Sequence, residues 1–166
     1  MQLSAVGQTA RQGDPARFEA AMFAAPDRRE DLFALIALNV ELSRIPDTVS
    51  EPMLGEIRLQ WWDDAIEALF DGGKVEGHEV IAALEQPIRE GRLVRNRLID
   101  LIEARRLVLS DASLGEAETL EQLIAQTGGA LAALQVACLG GDEAAQWVAA
   151  DAGWAEGAGR LIAALP

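Results

Sequence analysis

The chain has no tyrosine, one cysteine and one histidine in 166 residues. A single cysteine, Cys138, excludes an internal disulfide framework. Its apolar surroundings, ALQVACLGG, suit a core thiol rather than a reactive one, and this usage fits a reducing, cytoplasmic compartment. One histidine without neighbouring cysteines cannot make a typical structural zinc site. His78, in EGHEV at a helix start, reads as a surface or capping residue. There is no G-x-S-x-G elbow for a nucleophilic serine. There is also no GxGxxG and no GxxxxGK phosphate loop. No run approaches the ~20 apolar residues of a membrane span, because the richest, Leu32 to Leu42, is broken by Asn39 and Glu41. Positive charge is scarce as well. With 14 basic and 27 acidic residues the net charge is −13, which repels nucleic acid and anionic membrane surfaces.

What is present is helix-forming. Half of the residues are apolar, with Ala and Leu dominant and aromatics at only 5%, a balance that favours helices over strands. The length suits one domain with a sizeable core. Residues 1 to 13 read as a flexible leader, and 14 to 166 as a single α-helical domain. Asp14-Pro15 starts a helix with an acid at the cap and Pro in the first turn. Pro26-Asp27 marks the next start, and Leu32, Leu35, Ile36, Asn39 and Leu42 follow at helical spacing. Pro46 is expected to end or kink that helix, since it has no amide hydrogen and clashes with the preceding turn. A further helix runs from about Ser50–Pro52 to Phe70, with Met53, Ile57, Trp61, Ala65 and Leu69 as its apolar stripe. Asp71-Gly72-Gly73-Lys74 stops it. Helices near 77–90, 92–109, 116–139 and 143–165 complete a fold of about seven. The glycines at 128 and 129 fit close helix packing, since a helix-interior glycine costs ~1 kcal/mol and needs a reason.

Carboxylates and arginines carry whatever chemistry the chain has. Asp47 and Glu51 are four residues apart, and on one helix they would share a face. Such a pair suits Mg²⁺, which takes oxygen ligands and often shares them with substrate phosphates. Glu41, Asp63, Asp64 and Glu67 are further acids nearby. A solvated helix face explains them equally, and Thr48-x-x-Glu51 also fits a capping box. Arg44 and Arg58 bracket the segment, and a guanidinium fork matches phosphate oxygens. Ordinary helix ion pairs account for arginines too. The tandem Trp61-Trp62 places two rings ~100° apart on a helix. One belongs to the core and the other to a cavity or a partner surface.

Several segments, taken in order, resemble squalene and phytoene synthases. DPARFEAAMFAAPDRREDLFALIALN is similar to that family's opening helices, and EPMLGEIRLQWWDDAIEAL to the segment after its first acidic motif. LIDLIEARRL, LIAQTGGALAAL and GAGRLIAALP resemble later segments at matching spacing. The resemblance implies an all-α, isoprenoid-synthase-like bundle with a central cavity. Truncation at the C-terminus is expected, because the family's last helices have no counterpart. It further implies enzymes that condense two prenyl diphosphates head to head, with Mg²⁺ held by two Asp-rich motifs on facing helices. The departures are specific. Of the first motif only Asp47 remains, with Glu51 just beyond. The second motif's place reads RLIAALP and has no acid, and a usual Tyr is Leu123. NVELSRIPDTVSE is closer to the non-catalytic, complex I assembly-factor branch of the family. The expectation is therefore a binding or assembly module with degenerate motifs, working through a protein partner or an isoprenoid lipid or diphosphate. The alternative is a Mg²⁺-dependent prenyltransferase. In that case Asp47 and Glu51 hold the metal and Arg44, Arg58, Trp61 and Trp62 bind substrate. No nucleic-acid partner and no transmembrane segment are expected. A membrane-peripheral location and a homo-oligomer remain open.

Overall fold

A computed structural model describes residues 2–110 and 116–163. Among these residues every regular element is helical. The elements are α1 (Ala5–Gly13), α2 (Pro15–Ala21), α3 (Arg29–Thr48), α4 (Pro52–Phe70), α5 (Glu79–Arg89) and α6 (Arg95–Leu109). Then α7 (Ala117–Ile124) passes through a π-helical segment (Ala125–Gly129) into α8 (Ala130–Cys138), and α9 (Glu143–Ala163) follows. With α7, the π segment and α8 taken as one rod, the expected all-α bundle has eight helices rather than about seven.

The extra helix is α1, where a flexible leader was expected. Ser4 caps it, its hydroxyl accepting from the Gly7 amide at 3.1 Å. Val6 and Ala10 are buried, and the helix lies along α3. Packing overrides the weak propensity of AVGQTARQG. Contact is close enough that a Cβ at Gly13 would meet Val40 Cγ1 at 2.3 Å.

The centre of the molecule is α3. Every residue from Asp31 to Leu38 is buried, so the helix is covered on all sides, as an all-round apolar helix must be. It touches α1, α2, α4, α5, α6 and α8. Its N-terminal end is fixed by a buried ion pair, Asp31 to Arg92 at 2.7 Å. Pro46 does not end it on the spot, and α3 continues two residues further, to Thr48. The proline forfeits the amide bond that would reach back to the Leu42 carbonyl, and only Asp47 and Thr48 follow it in the helix. Burial of Ile45 and the Thr48 hydroxyl, which donates back to the Arg44 carbonyl at 2.8 Å, hold that turn.

Helix α4 buries Gly55, Leu59, Trp62, Ala65, Ile66 and Leu69. This differs from the expected stripe, because Met53 (71%), Ile57 (61%) and Trp61 (42%) are exposed. Both faces of its first half are apolar, so spacing alone does not choose between them. The choice is made at Gly55, which lets α6 approach: a Cβ there would meet Leu109 Cδ1 at 2.6 Å.

The rod from α7 to α8 crosses α9 at glycines, as the pair at 128 and 129 suggested. A Cβ at Gly128 would meet the Gly153 carbonyl oxygen at 2.4 Å, and one at Gly153 the Gly128 oxygen at 2.2 Å. Gly153 is the buried residue of α9. Cys138 lies in the core, where burial pushes its thiol up to about 12, so it is inert at neutral pH. No helix among the described residues is long and apolar enough to cross a membrane.

Candidate functional site

Two clefts flank the C-terminal half of α3. The first, of about 460 Å³, is lined by Glu41, Arg44, Ile45, Thr48, Arg58, Trp61, Trp62 and His78. It thus gathers all four residues that the sequence nominated for substrate. The break between α3 and α4 folds α4 back so that Arg58 reaches α3, where its Nη1 donates to Thr48 Oγ1 at 3.2 Å. Trp62 is core (5% exposed) and Trp61 lies at the cleft wall. Their rings meet edge to face at 5.2 Å, a favoured aromatic geometry.

His78 completes this cluster. Its ring stands 4.6 Å from Trp62 and 5.1 Å from Trp61. It occupies the cap position of α5 but makes no side-chain cap bond, and its Nδ1 is buried without a hydrogen-bond partner. Reading it as a surface or capping residue missed this. Nothing in EGHEV signals it, since the contact is made by the turn after α4. Arg44 is half-exposed and only loosely paired with Glu41, at 3.7 Å.

Asp47 and Glu51 are not brought together as a helical pair. Asp47 is exposed in the last turn of α3, while Glu51 is the extended cap residue of α4 (φ −136°, ψ 136°). The capping box does not form either. Glu51 makes no cap bond, and the Thr48 hydroxyl points back along α3 to the Arg44 and Ile45 carbonyls. Among the described residues no three His, Cys, Asp or Glu side chains are placed to share a metal ion. Asp63 is drawn to Arg106 at 3.5 Å, and Glu67 is paired with Arg95. Mg²⁺ demands near-octahedral oxygen ligation, and these residues do not fit the two-motif clamp that a diphosphate-ionising metal needs.

The second cleft, of about 340 Å³, is lined by Asn39 of α3, Arg105 of α6, Arg17, Arg160 and apolar side chains of α7, α8 and α9. Here a half-buried ionic network joins α2 and α9. Asp14 accepts from Arg17 at 2.7 Å and from Arg160 at 3.4 Å, and Glu156 accepts from both arginines at 2.7 Å. Burial raises the Asp14 carboxyl, but the Arg17 bonds and the two guanidiniums outweigh it and hold it below the ordinary carboxylate value. The same charges hold Arg160 above its usual value against burial.

Arg105 is different. Its Nη2 donates to Asn39 Oδ1 at 3.0 Å, and its Nε is buried without a partner. Burial pushes the guanidinium down to about 10, opposed by the Asp47 charge. In sequence, Arg105 stands out only as part of the family-like segment LIDLIEARRL, and Asn39 as a member of an apolar stripe. The signal available was the polar Asn39 in the middle of the most apolar run.

The model of the squalene/phytoene synthase family matches residues 10–163. The chain belongs to the squalene/phytoene synthase family. Curated relatives carry a different kind of name. The chain is 30% identical over 142 residues to NADH dehydrogenase (ubiquinone) complex I, assembly factor 6 of Bos taurus, covering 84% of this chain and 42% of that protein. The Homo sapiens protein of the same name is 29% identical, with the same coverage. The Mus musculus protein is 31% identical over 135 residues, covering 80% and 40%. The chain therefore spans about two fifths of the length of the curated relatives it matches. No solved structure matches it.

Proposed function

We propose that this chain is a non-catalytic member of the squalene/phytoene synthase family, acting as a binding or assembly module through a protein partner. The observation that carries the reading is the separation of Asp47 from Glu51. One lies in the last turn of α3, the other opens α4, and among the described residues no third acid joins them. Leaving-group chemistry on a diphosphate requires its charge to be neutralised by a positioned cation, and the carboxylates for that are not assembled. The relatives named as complex I assembly factors support an assembly role. On this reading the partner is a component of a respiratory NADH dehydrogenase, the compartment is the cytoplasm, and Mg²⁺ is dispensable.

The test is genetic and chemical together. Deleting the gene in the source organism is expected to lower the amount of assembled NADH dehydrogenase on native gels. Complementation with the Asp47→Ala, Glu51→Ala double variant is expected to restore it fully. Failure of that variant, though folded and present at normal level, would overturn the reading. So would Mg²⁺-dependent turnover of a prenyl diphosphate by the purified protein.

A further inference from the structure

A buried cation without an anion is unfavourable unless something arrives to pair with it. Arg105 is such a cation. Among the described residues no carboxylate lies within ion-pair distance of it. Its one side-chain partner is the neutral oxygen of Asn39, and its Nε has none. The other two cations of the cleft are already satisfied. Arg17 and Arg160 are closed off by Asp14 and Glu156, two positive charges against two negative. The cleft thus holds one positive charge without an ion-pair partner, offset only by the more distant Asp47.

The remainder of the wall is apolar. Leu120, Leu123, Ile124, Leu131 and Leu161 line it. The π-helical segment Ala125–Gly129 contributes Thr127 and Gly128, and π turns inside α-helices are frequent at functional sites. A volume of about 340 Å³ lies at the lower end of small-ligand pockets, ~300–1,000 Å³. The shape of this chemistry is a single-charge acceptor beside a short hydrocarbon slot.

We propose that this cleft binds a singly charged amphiphile, a medium-chain carboxylic acid, without any metal. The carboxylate pairs with the Arg105 guanidinium that lines the cleft, and the chain lies on the leucine wall. A diphosphate head is disfavoured on the same ground, because it brings at least two charges to a site that neutralises one. This binding function goes beyond the assembly role proposed above and stands or falls separately from it.

The test is calorimetric titration of the purified, delipidated chain with decanoate, decanol and farnesyl diphosphate, each with Mg²⁺ and with chelator. Decanoate is expected to bind equally in both conditions and at least tenfold more tightly than decanol. Arg105→Met is expected to lose at least tenfold in decanoate affinity while its thermal midpoint stays equal or rises, since it removes a buried unpaired charge. A fall in its midpoint would mark Arg105 as structural and overturn the proposal. Leu123→Trp, which fills the slot and leaves the charge, is expected to weaken decanoate binding as well. Absence of decanoate binding, equal binding of decanol, or unchanged affinity in Arg105→Met would each overturn the proposal. Of these, absence of binding to all three probes leaves the assembly reading intact, whereas Mg²⁺-dependent binding of farnesyl diphosphate alone, with turnover, overturns both.

Discussion

The two clefts share α3 yet treat the same residue type in opposite ways. At the Trp61–His78 cleft, Arg44 and Arg58 are exposed at the rim, where water solvates them and a partner's charge gains little. At the second cleft, Arg105 is withdrawn from water, and an incoming anion recovers its lost solvation. The frames differ as well. Trp61 and His78 stand at the edge of the bundle, whereas the Arg105 cleft is bounded by a half-buried ionic network and a glycine crossing. Arginines of equal appearance in a sequence therefore differ in what they can do, and burial decides which of them is a site.

The sharpest break of this comparison is at the frame of the second cleft. Asp14→Ala removes the α2 cap and one of the two carboxylates that Arg17 and Arg160 share, leaving them Glu156. With Glu156 still pairing both arginines, the cost is that of a lost cap and charge-assisted bonds, about 3 kcal/mol, read as a fall in the urea midpoint. A similar loss, ~3–5 kcal/mol, is expected for Trp62→Ala at the first cleft, because Trp62 is core. Trp61→Ala beside it is expected to cost under ~1 kcal/mol, which would separate wall from core within one tandem pair.

Gly153→Ala comes next. Its Cβ would meet a backbone oxygen at 2.2 Å, so α9 must move away from the π segment. Overpacking of this kind costs about 1–3 kcal/mol and should weaken decanoate binding too, since α9 is a wall of that cleft. Arg58→Ala, at the exposed rim, should fall within ~0.5 kcal/mol of the parent.

Acid supplies a gentler probe. The Asp14 carboxyl is held below its ordinary value of ~3.9 by the Arg17 hydrogen bonds and the guanidiniums. Its contribution is therefore fully present above about pH 4 and is lost as pH falls through the folded value. Between pH 7 and pH 3 the parent should lose more stability than Asp14→Asn, measured by urea unfolding at both pH values.

Much of the fold was legible because helix boundaries here follow local chemistry. Asp14-Pro15 and Pro52 open helices, and Gly72, with φ of 80°, closes one. α1 was not legible, because only Val6 and Ala10 mark its buried face and its stability comes from lying on α3. Pro46 misled because the loss of one amide bond does not stop a turn that the buried Ile45 and the Thr48 hydroxyl hold. Of the sites, the Arg44, Arg58, Trp61 and Trp62 cluster was readable since one helix break brings the four together within nineteen residues. His78 and the Asn39–Arg105 bond were not, since residues 66 apart in sequence meet only through the packing of α6 on α3. The acidic pair misled in the opposite sense. Its i, i+4 spacing promised one face, and the α3–α4 break divides it.

The most direct test of the central claim is titration of farnesyl diphosphate into the purified chain with and without Mg²⁺, with mass spectrometry of any product. The account predicts no Mg²⁺-dependent binding and no release of diphosphate. Binding that requires Mg²⁺, is abolished by Asp47→Ala and yields a condensed product would contradict it.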